Sequence, residues 1–517
     1  MVSWLRYDTD LLVTDLARRH ARRFADRERT AVVHGAARLT WQQLDDRVTR
    51  LTDALQQRGV RPGERVATYL RNGTEFFEIV LALAAIGAPV VPVSYRSTAG
   101  ELAAALDASG VRFVLADADA GMAARMAEAA RLRAASTTDV VTVGPQYEEL
   151  IGAGRYREDV PRPGEDDPVW FAPTGGTTGK PKLVRVPHRV LVQMWLVMAV
   201  ELGIGRHDVM LAPGPLYHGL GFGFALQQLY VGGRVVVMPA FDPAAALRLI
   251  EAESVTVLPA VPTMLNMMLS APELAGTDTS SLRLILSSGS ALLTSTKERL
   301  LTAFPGAELY ESYGATEAGF FTVLRPEDQF RKVRSCGVPF FGSEIAILDA
   351  DGCPVPAGQV GLVYKRGLIQ GGGYADDAEA TAAMFRGDWC TAGDMGYLDA
   401  EGYLYLVDRA RDMIVTGGVN VFPAEIEEVI AAVPGVHEIA VIGVPDDTWG
   451  ESVKAFVVRR PGSAVTADQI IDACVSRLAS FKKPRFVEFV AELPKSPAGK
   501  VLKRELRVEG ARWQDRN

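Results

Sequence analysis

Between residues 40 and 270, stretches of helical periodicity alternate with short β-branched runs, and this alternation constrains the fold more than any other feature of the chain. Thr40–Arg58 sets Leu44, Val48, Leu51 and Leu55 on one helical face and closes at Gly59. Arg65–Tyr69 then reads as a strand, Glu75–Ile86 as a buried helix ended by Gly87, and Val90–Val93 as another strand. The pattern returns as strand Gly232–Met238, helix Pro243–Glu253, strand Val255–Leu258 and helix Pro262–Leu269. Strand–helix–strand units of this kind build largely parallel sheets covered by helices. No fixed-period repeat is present.

After about Ser335 the character changes. Short strands with turn signals (Glu344–Leu348, Asp351-Gly352, Val360–Lys365, Tyr403–Val407) predict a small antiparallel or barrel-like unit. The charged run Asp408-Arg409-Ala410-Arg411-Asp412 follows as the expected hinge. Beyond it the chain resumes a compact α+β pattern: helix Ala424–Val433, strands Ile439–Val444 and Val453–Val458, helix Ala467–Leu478, then the basic segment Phe481–Arg507. The expected organisation is a large α/β domain over residues 1–408, a hinge at 409–411 and a small domain over 412–517.

With 48% apolar residues the 517-residue chain can bury large cores, and a net charge of −8 disfavours a generic nucleic-acid binder. The N-terminus Met1-Val2-Ser3-Trp4-Leu5-Arg6 has no signal-peptide core, and the longest apolar runs are too short or too broken to span a bilayer. Four cysteines without C-x-x-C spacing suit reduced thiols in a cytoplasmic protein, and six scattered histidines indicate no transition-metal site.

Pro173-Thr174-Gly175-Gly176-Thr177-Thr178-Gly179-Lys180-Pro181-Lys182 packs three glycines, three threonines and two lysines between Phe171-Ala172 and Leu183-Val184. This is the pattern of a strand, a tight loop and a further strand or helix. Glycines let the backbone approach a ligand, threonine hydroxyls donate and lysines add charge, so the loop suits a polyphosphate. It is not a Walker loop, since Gly175 and Gly179 are too close and Pro181 stands where Ser or Thr should follow the lysine.

Four further stretches carry chemistry. In Tyr310-Glu311-Ser312-Tyr313-Gly314-Ala315-Thr316-Glu317 an aromatic beside a glycine can stack on a purine, and a Thr-Glu pair can hold a hard cation such as Mg²⁺. Asp394, in Trp389-Cys390-Thr391-Ala392-Gly393-Asp394, can accept from ribose hydroxyls. Arg409 can complement a phosphate or sugar, and Lys500, after Gly499, is a point charge on a flexible arm. Singly, each reads better as an ordinary surface charge. Together, in this order, coincidence is a poor account.

The chain resembles the adenylate-forming superfamily of acyl- and aryl-CoA synthetases, peptide-synthetase adenylation domains and luciferases, nearly end to end. The 173–182 loop is similar to (S/T)-S/G-G-T-T-G-x-P-K, Tyr313–Glu317 to Y-G-x-T-E, Ala392–Asp394 to T-G-D, and Pro494–Lys500 to P-K-(T/S)-x-x-G-K. Gly402-Tyr403-Leu404 with Arg409 and Gly417-Gly418 resembles the hinge motif, Pro215-Leu216-Tyr217-His218 the P-L-F-H that opens the acid pocket, and Leu39–Leu44 the motif L-T-Y-x-E-L. Gly175 replaces a common serine, Leu183 a common glycine and Ala392 a threonine. The first two resemble the aryl-acid branch and some acyl-CoA synthetases. The third removes one hydroxyl near the ribose.

The resemblance implies a two-step reaction. A carboxylate attacks the α-phosphorus of MgATP to give an acyl-adenylate and pyrophosphate, and a thiol then displaces AMP. Negative reactants repel, so catalysis is mainly charge neutralisation and positioning. By resemblance, Lys500 bridges carboxylate and α-phosphate. Thr174, Gly175, Gly176, Thr177, Thr178, Gly179 and Lys182 hold the outer phosphates. Glu317 with Thr316 anchors Mg²⁺. Tyr313, within Glu311–Ala315, stacks on adenine; Asp394 and Arg409 hold the ribose; Gly289, Ser290 and Ala291 border adenine and acyl group. His218, Phe222, Gly223, Gly289 and Ala315 line the acid pocket. Rotation at Arg411 withdraws Lys500 and brings in the Gly417-Gly418 face for the thiol step, which makes the small domain a mobile lid.

No acidic residue occurs in Gly219-Leu220-Gly221-Phe222-Gly223-Phe224, where peptide-synthetase domains hold an α-ammonium, so an α-amino acid is disfavoured. A planar aryl, cinnamoyl-like or medium apolar acid suits this small apolar segment, though both phenylalanines are equally ordinary core residues. The expected acceptor is CoA, whose phosphates Lys482, Lys483 and Arg485 could meet unless they form a solvated basic loop. The alternatives are the phosphopantetheine of a separate carrier protein, a non-thiol acceptor or an unusual oxyanion. A monomer or homodimer is expected.

Overall fold

In the computed structural model, residues 12–25, 28–133, 138–157, 162–174, 182–409, 412–416, 419–446, 449–495 and 501–507 are described. By internal contacts the chain divides into two compact units: Met1–Ile345 with Lys365–Cys390, and Ala346–Tyr364 with Thr391–Asn517.

The first unit holds two large sheets. Their strands, in chain order, are β1 (Thr30–His34), β2 (Ala37–Thr40), β3 (Val66–Tyr69), β4 (Val90–Pro92), β5 (Phe113–Asp117), β6 (Asp139–Val143), β7 (Pro168–Thr174), β8 (Lys182–Pro187), β9 (Val209–Ala212), β10 (Arg234–Val237), β11 (Val257–Ala260), β12 (Leu284–Ser288), β13 (Glu308–Ala315), β14 (Gly319–Leu324) and β15 (Val338–Pro339). A nine-stranded sheet runs β15-β14-β13-β12-β11-β9-β10-β1-β2 and a six-stranded sheet β6-β5-β3-β4-β7-β8. From β13 to β1, and from β6 to β7, neighbouring strands are parallel. Antiparallel strands β14, β15, β2 and β8 close the edges. The largely parallel architecture expected from the alternation is the one observed.

Local chemistry explains the elements. Thr40 starts helix Trp41–Gln57 with a capping box, its hydroxyl accepting the Gln43 N–H while the Gln43 side chain accepts that of Thr40. Helix Glu75–Ile86 is apolar on nearly every face and is buried on nearly every face. Its one fully buried charge, Glu78, accepts from Arg47 Nε and the Tyr147 hydroxyl, each at 2.8 Å. Burial pushes the Glu78 carboxyl above the usual carboxylate range, against the pull of Arg47. Strand β11 begins two residues later than the sequence pattern suggests. The Val255 N–H is spent on the Ile250 carbonyl (3.0 Å) at the end of helix Pro243–Glu253, so the ladder starts beyond it.

Strands β16 (Ser343–Leu348), β17 (Gly361–Gly367) and β19 (Trp389–Leu398) each contribute residues to both units. In the first unit β18 (Phe385–Arg386) pairs with the start of β19; in the second the rest of β19 runs antiparallel to β20 (Leu404–Arg409). The C-terminal part is α+β, as its sequence pattern indicates. Strands β21 (Ile414–Thr416), β22 (Val419–Val421), β23 (Val436–Asp446), β24 (Gly450–Arg459) and β25 (Phe486–Phe489) form one sheet. Helices Pro423–Ala431 and Ala467–Arg477 share a core with it through Ile426, Ile430, Ile470, Val441 and Val457. Among the described residues no helix is long and apolar enough to cross a membrane.

Candidate active site

Strands β9, β11, β12 and β13 are parallel neighbours, so the segments that leave them emerge on one edge of the sheet. Those after β9, β12 and β13 are Pro213–His218, Gly289–Ala291 and Thr316–Ala318. Carboxyl ends of parallel strands are where open α/β sheets bind ligands. The topology thus gathers on one edge residues that the sequence spreads over a hundred positions. Gly289, Ser290 and Ala291 are exposed there, whereas Ser312 is buried and its carbonyl accepts from the Ser288 hydroxyl at 3.1 Å.

Glu311 faces inward. It is ion-paired with Lys297, which is 2% exposed, and it accepts the Leu292 N–H at 3.2 Å. Burial pushes its carboxyl up, with Lys297 opposing. Glu311 therefore ties the 289–292 loop to β13 from beneath and offers no free carboxylate to a ligand.

Thr316, Glu317 and Ala318 form the turn of the β13–β14 hairpin, closed by the Ala318 N–H to the Ala315 carbonyl at 3.2 Å. A Cβ at Gly314 would lie 2.7 Å from the Gly319 carbonyl and 3.0 Å from Phe320 Cα, which only glycine avoids. The half-buried Tyr313 ring leans on Phe321 at 4.9 Å between centroids.

Behind the turn, residues 371–375 run beside β8. The Arg185 N–H bonds the Gly373 carbonyl (2.9 Å) and the Ala375 N–H the Leu183 carbonyl (2.7 Å). A Cβ at Gly371 would sit 1.7 Å from the Glu317 carbonyl oxygen, so this strap touches the turn directly. Tyr374, on the strap, donates its hydroxyl to Glu317 Oε1 at 3.3 Å. Lys182 Nζ lies 5.0 Å above the Tyr374 ring and 2.9 Å from Asp377 Oδ2. Thr174 and Lys182 pair in register as the last and first residues of β7 and β8, so the glycine-rich stretch joins two strands rather than a strand and a helix. Gly175, Gly176, Thr177, Thr178 and Gly179 lie outside the described residues.

His218 is exposed at the N-terminus of helix Gly219–Tyr230. The segment leading to it is held by Asn72, which is 6% exposed. Asn72 Nδ2 donates to the carbonyls of Gly214 (2.9 Å) and Met238 (2.8 Å), and its Oδ1 accepts the Leu216 N–H (2.8 Å). Phe222 is fully buried, stacked on Trp170 at 4.5 Å and edge-on to Phe76 at 6.0 Å; Gly223 is also buried.

In the second unit Asp394 stands directly opposite Arg409 in the β19–β20 ladder, which brings the two expected ribose ligands to adjacent backbone positions. The Thr391 hydroxyl donates to the Val363 carbonyl (2.7 Å) and accepts the Gly393 N–H (3.0 Å), fixing the turn before buried Asp394. Lys482 and Arg485 are paired with Glu425 (2.6 Å) and Asp446 (2.9 Å). Lys500, Arg411 and Gly417-Gly418 lie outside the described residues.

Asn72, Tyr374 and Lys297 escaped the sequence reading. Gly371-Gly372-Gly373 before Tyr374 was a signal of close backbone approach; nothing in the sequence marks Asn72 or Lys297.

Residues 17–375 match the AMP-binding enzyme model and residues 425–500 the AMP-binding enzyme C-terminal domain model. The chain belongs to the AMP-binding enzyme family. Among members of this family, it is 37% identical to a feruloyl-CoA synthase of an Amycolatopsis species over 480 residues, 92% of this chain and 95% of that one. It is 33% identical to the fatty acid–[acyl-carrier-protein] ligase ScoC of Streptomyces coeruleorubidus over 490 residues, 92% of each. The ATP-bound MatB structure from Rhodopseudomonas palustris superposes with a TM-score of 0.87 at 30% identity, covering 96% of this chain and 98% of that one. The protein is thus an AMP-forming acid–thiol ligase that activates a carboxylic acid with ATP.

Proposed function

We propose that this ligase activates an aryl, cinnamoyl-type or other apolar acid and passes it to CoA. The observation that carries the reading is the gathering of Tyr313–Glu317, Gly289–Ala291 and the His218 segment on one sheet edge, with Lys182 and Glu317 joined through Tyr374. Tyr313, braced by Phe321, offers a face to adenine. Asp394 and Arg409 take the ribose, and Thr174 to Lys182 the β- and γ-phosphates. Lys500 spans the carboxylate and the α-phosphate in the first step and is dispensable in the second.

Mg²⁺ is commonly held by one or two carboxylates plus substrate phosphates rather than by an all-protein cage. Glu317, half-buried on the turn and next in sequence to the exposed Thr316, is a donor of that kind, and no cluster of three or more metal-ligating side chains occurs among the described residues. When bound, the ion would offset phosphate charge as the carboxylate attacks. Lys182 and Lys500 do the same, which matters because both reactants are anions.

For the acid, support comes from His218, Gly223, Gly289 and Ala315, with Phe222 backing the pocket through Trp170, and from the likeness to a feruloyl-CoA synthase. The likeness to ScoC supports a second reading, a carrier-protein thiol as acceptor. Four free cysteines suit a cytoplasmic setting. The test is AMP release from MgATP over aryl, cinnamoyl-type and aliphatic acids, with and without CoA. Acid-dependent release raised strongly by CoA is expected; pyrophosphate exchange indifferent to CoA would move the acceptor to a carrier protein.

A further inference from the structure

Tyr374 belongs to neither the phosphate loop nor the hairpin turn, yet it touches both. Its backbone is fixed on two sides. Residues 373 and 375 bond β8 on one side, and the Tyr374 N–H bonds the Thr381 hydroxyl at 2.9 Å on the other. Thr381 lies in helix Ala378–Met384, capped by Asp377 through the Ala380 N–H at 2.9 Å. The same Asp377 holds Lys182. Strap, helix cap and β8 thus form one brace, and from it the tyrosine side chain reaches the glutamate of the turn. A phenylalanine would fill the same space and lie under the same ammonium. What tyrosine adds is one hydroxyl, and that hydroxyl is spent on Glu317 Oε1.

We propose that Tyr374 is a positioning residue that couples Glu317 to Lys182, holding the carboxylate that receives the divalent cation and the ammonium that receives the phosphates at a set separation before nucleotide arrives. The proposal deepens the nucleotide reading given above and rests on it. With the hydroxyl in place, one Glu317 oxygen is held, so little rotamer freedom is lost when the carboxylate takes a cation. With the ring in place, Lys182 has an apolar, electron-rich seat beside its Asp377 partner.

The two halves of the side chain separate in the test. Binding of ATP to the full chain is measured by calorimetry, first with EDTA and then across a Mg²⁺ titration, so turnover is not needed. In Tyr374→Phe the Mg²⁺ midpoint for tight ATP binding rises by about threefold to tenfold, the span of one modest hydrogen bond to a charged group, while Mg²⁺-free affinity stays within about twofold. In Tyr374→Leu the Mg²⁺-free affinity falls as well, by about twofold to fivefold, as the seat of Lys182 is lost. Adding Glu317→Gln to Tyr374→Phe raises the midpoint no further than Glu317→Gln alone, because the two act through one contact. A Tyr374→Phe midpoint within about twofold of wild type, or additive effects in the double variant, would overturn the coupling. Failure of the wild-type chain to bind MgATP at all would overturn the nucleotide reading itself.

Discussion

Asn72→Ala tests whether one buried amide sets the segment proposed to border the acid. Asn72 lies just before helix Glu75–Ile86 and reaches the carboxyl ends of β9 and β10 with three hydrogen bonds of 2.8–2.9 Å. Alanine leaves the Gly214 and Met238 carbonyls and the Leu216 N–H without this partner. At about 1 kcal/mol for each bond lost, and more for any group kept dry, the first unit loses about 3–5 kcal/mol. Asn72→Asp keeps the acceptor for Leu216 but turns a carboxylate oxygen toward two carbonyls, so its loss is similar or greater. Urea unfolding, followed by emission from the buried Trp41, Trp170 and Trp195, gives the stability change. The functional consequence falls on the segment ending at His218. KM for the acid rises by about tenfold while KM for ATP stays within about twofold, because the Tyr313 turn is braced independently. A stability loss below about 0.5 kcal/mol, or equal rises in both KM values, would refute the argument.

Arg47→Met strands Glu78 in the core with only the Tyr147 hydroxyl, costing about 3–5 kcal/mol; the loss grows as pH rises above the ordinary carboxylate range, because the folded state then favours a protonated Glu78 more strongly than the unfolded chain does. Lys365 is buried with its ammonium 2.8 Å from the Phe320 carbonyl, and desolvation brings its pKa from 10.5 down to about 8. Between those values the unfolded chain binds more protons, so wild-type stability gains about 3 kcal/mol from this group as pH rises, and denaturation of Lys365→Met across that window lacks the gain. Thr40→Ala removes a capping box and lowers stability by about 1 kcal/mol in the same unfolding assay. Lys500→Ala abolishes acid-dependent pyrophosphate release yet leaves thioester formation from a supplied acyl-adenylate intact; equal loss of both half-reactions refutes the division of labour.

What the sequence revealed depended on the kind of constraint. Helix Glu75–Ile86 and helix Pro243–Glu253 were legible to the residue, since an apolar run ended by Gly87 and an apolar periodicity capped by Asp242 are local facts. Strand β11 was misplaced by two residues, since β-branched side chains say where a strand is favoured and not where its ladder begins. Tyr313, Glu317 and Lys182 stand out in the sequence because chemistry at close spacing leaves a motif. Glu311 carries the motif too, but its burial against Lys297 depends on helix Thr294–Ala303 folding back on β13, a contact that no local pattern encodes. Asn72 was invisible for the same reason, its three partners lying about 140 to 170 residues downstream.

The all-round burial of helix Glu75–Ile86 also bears on how the protein is made. Phe76 leaves the ribosome roughly 150 residues before Phe222, the ring it meets edge-on, and at 5–20 residues per second that is about 7–30 s of synthesis. Throughout that interval a twelve-residue apolar segment has no cover from its later partners on a growing chain. Nascent chains of this protein should therefore depend on a holdase until helix Gly219–Tyr230 has emerged, and codons that slow translation between the two helices should lower the soluble yield without changing a single residue of the product.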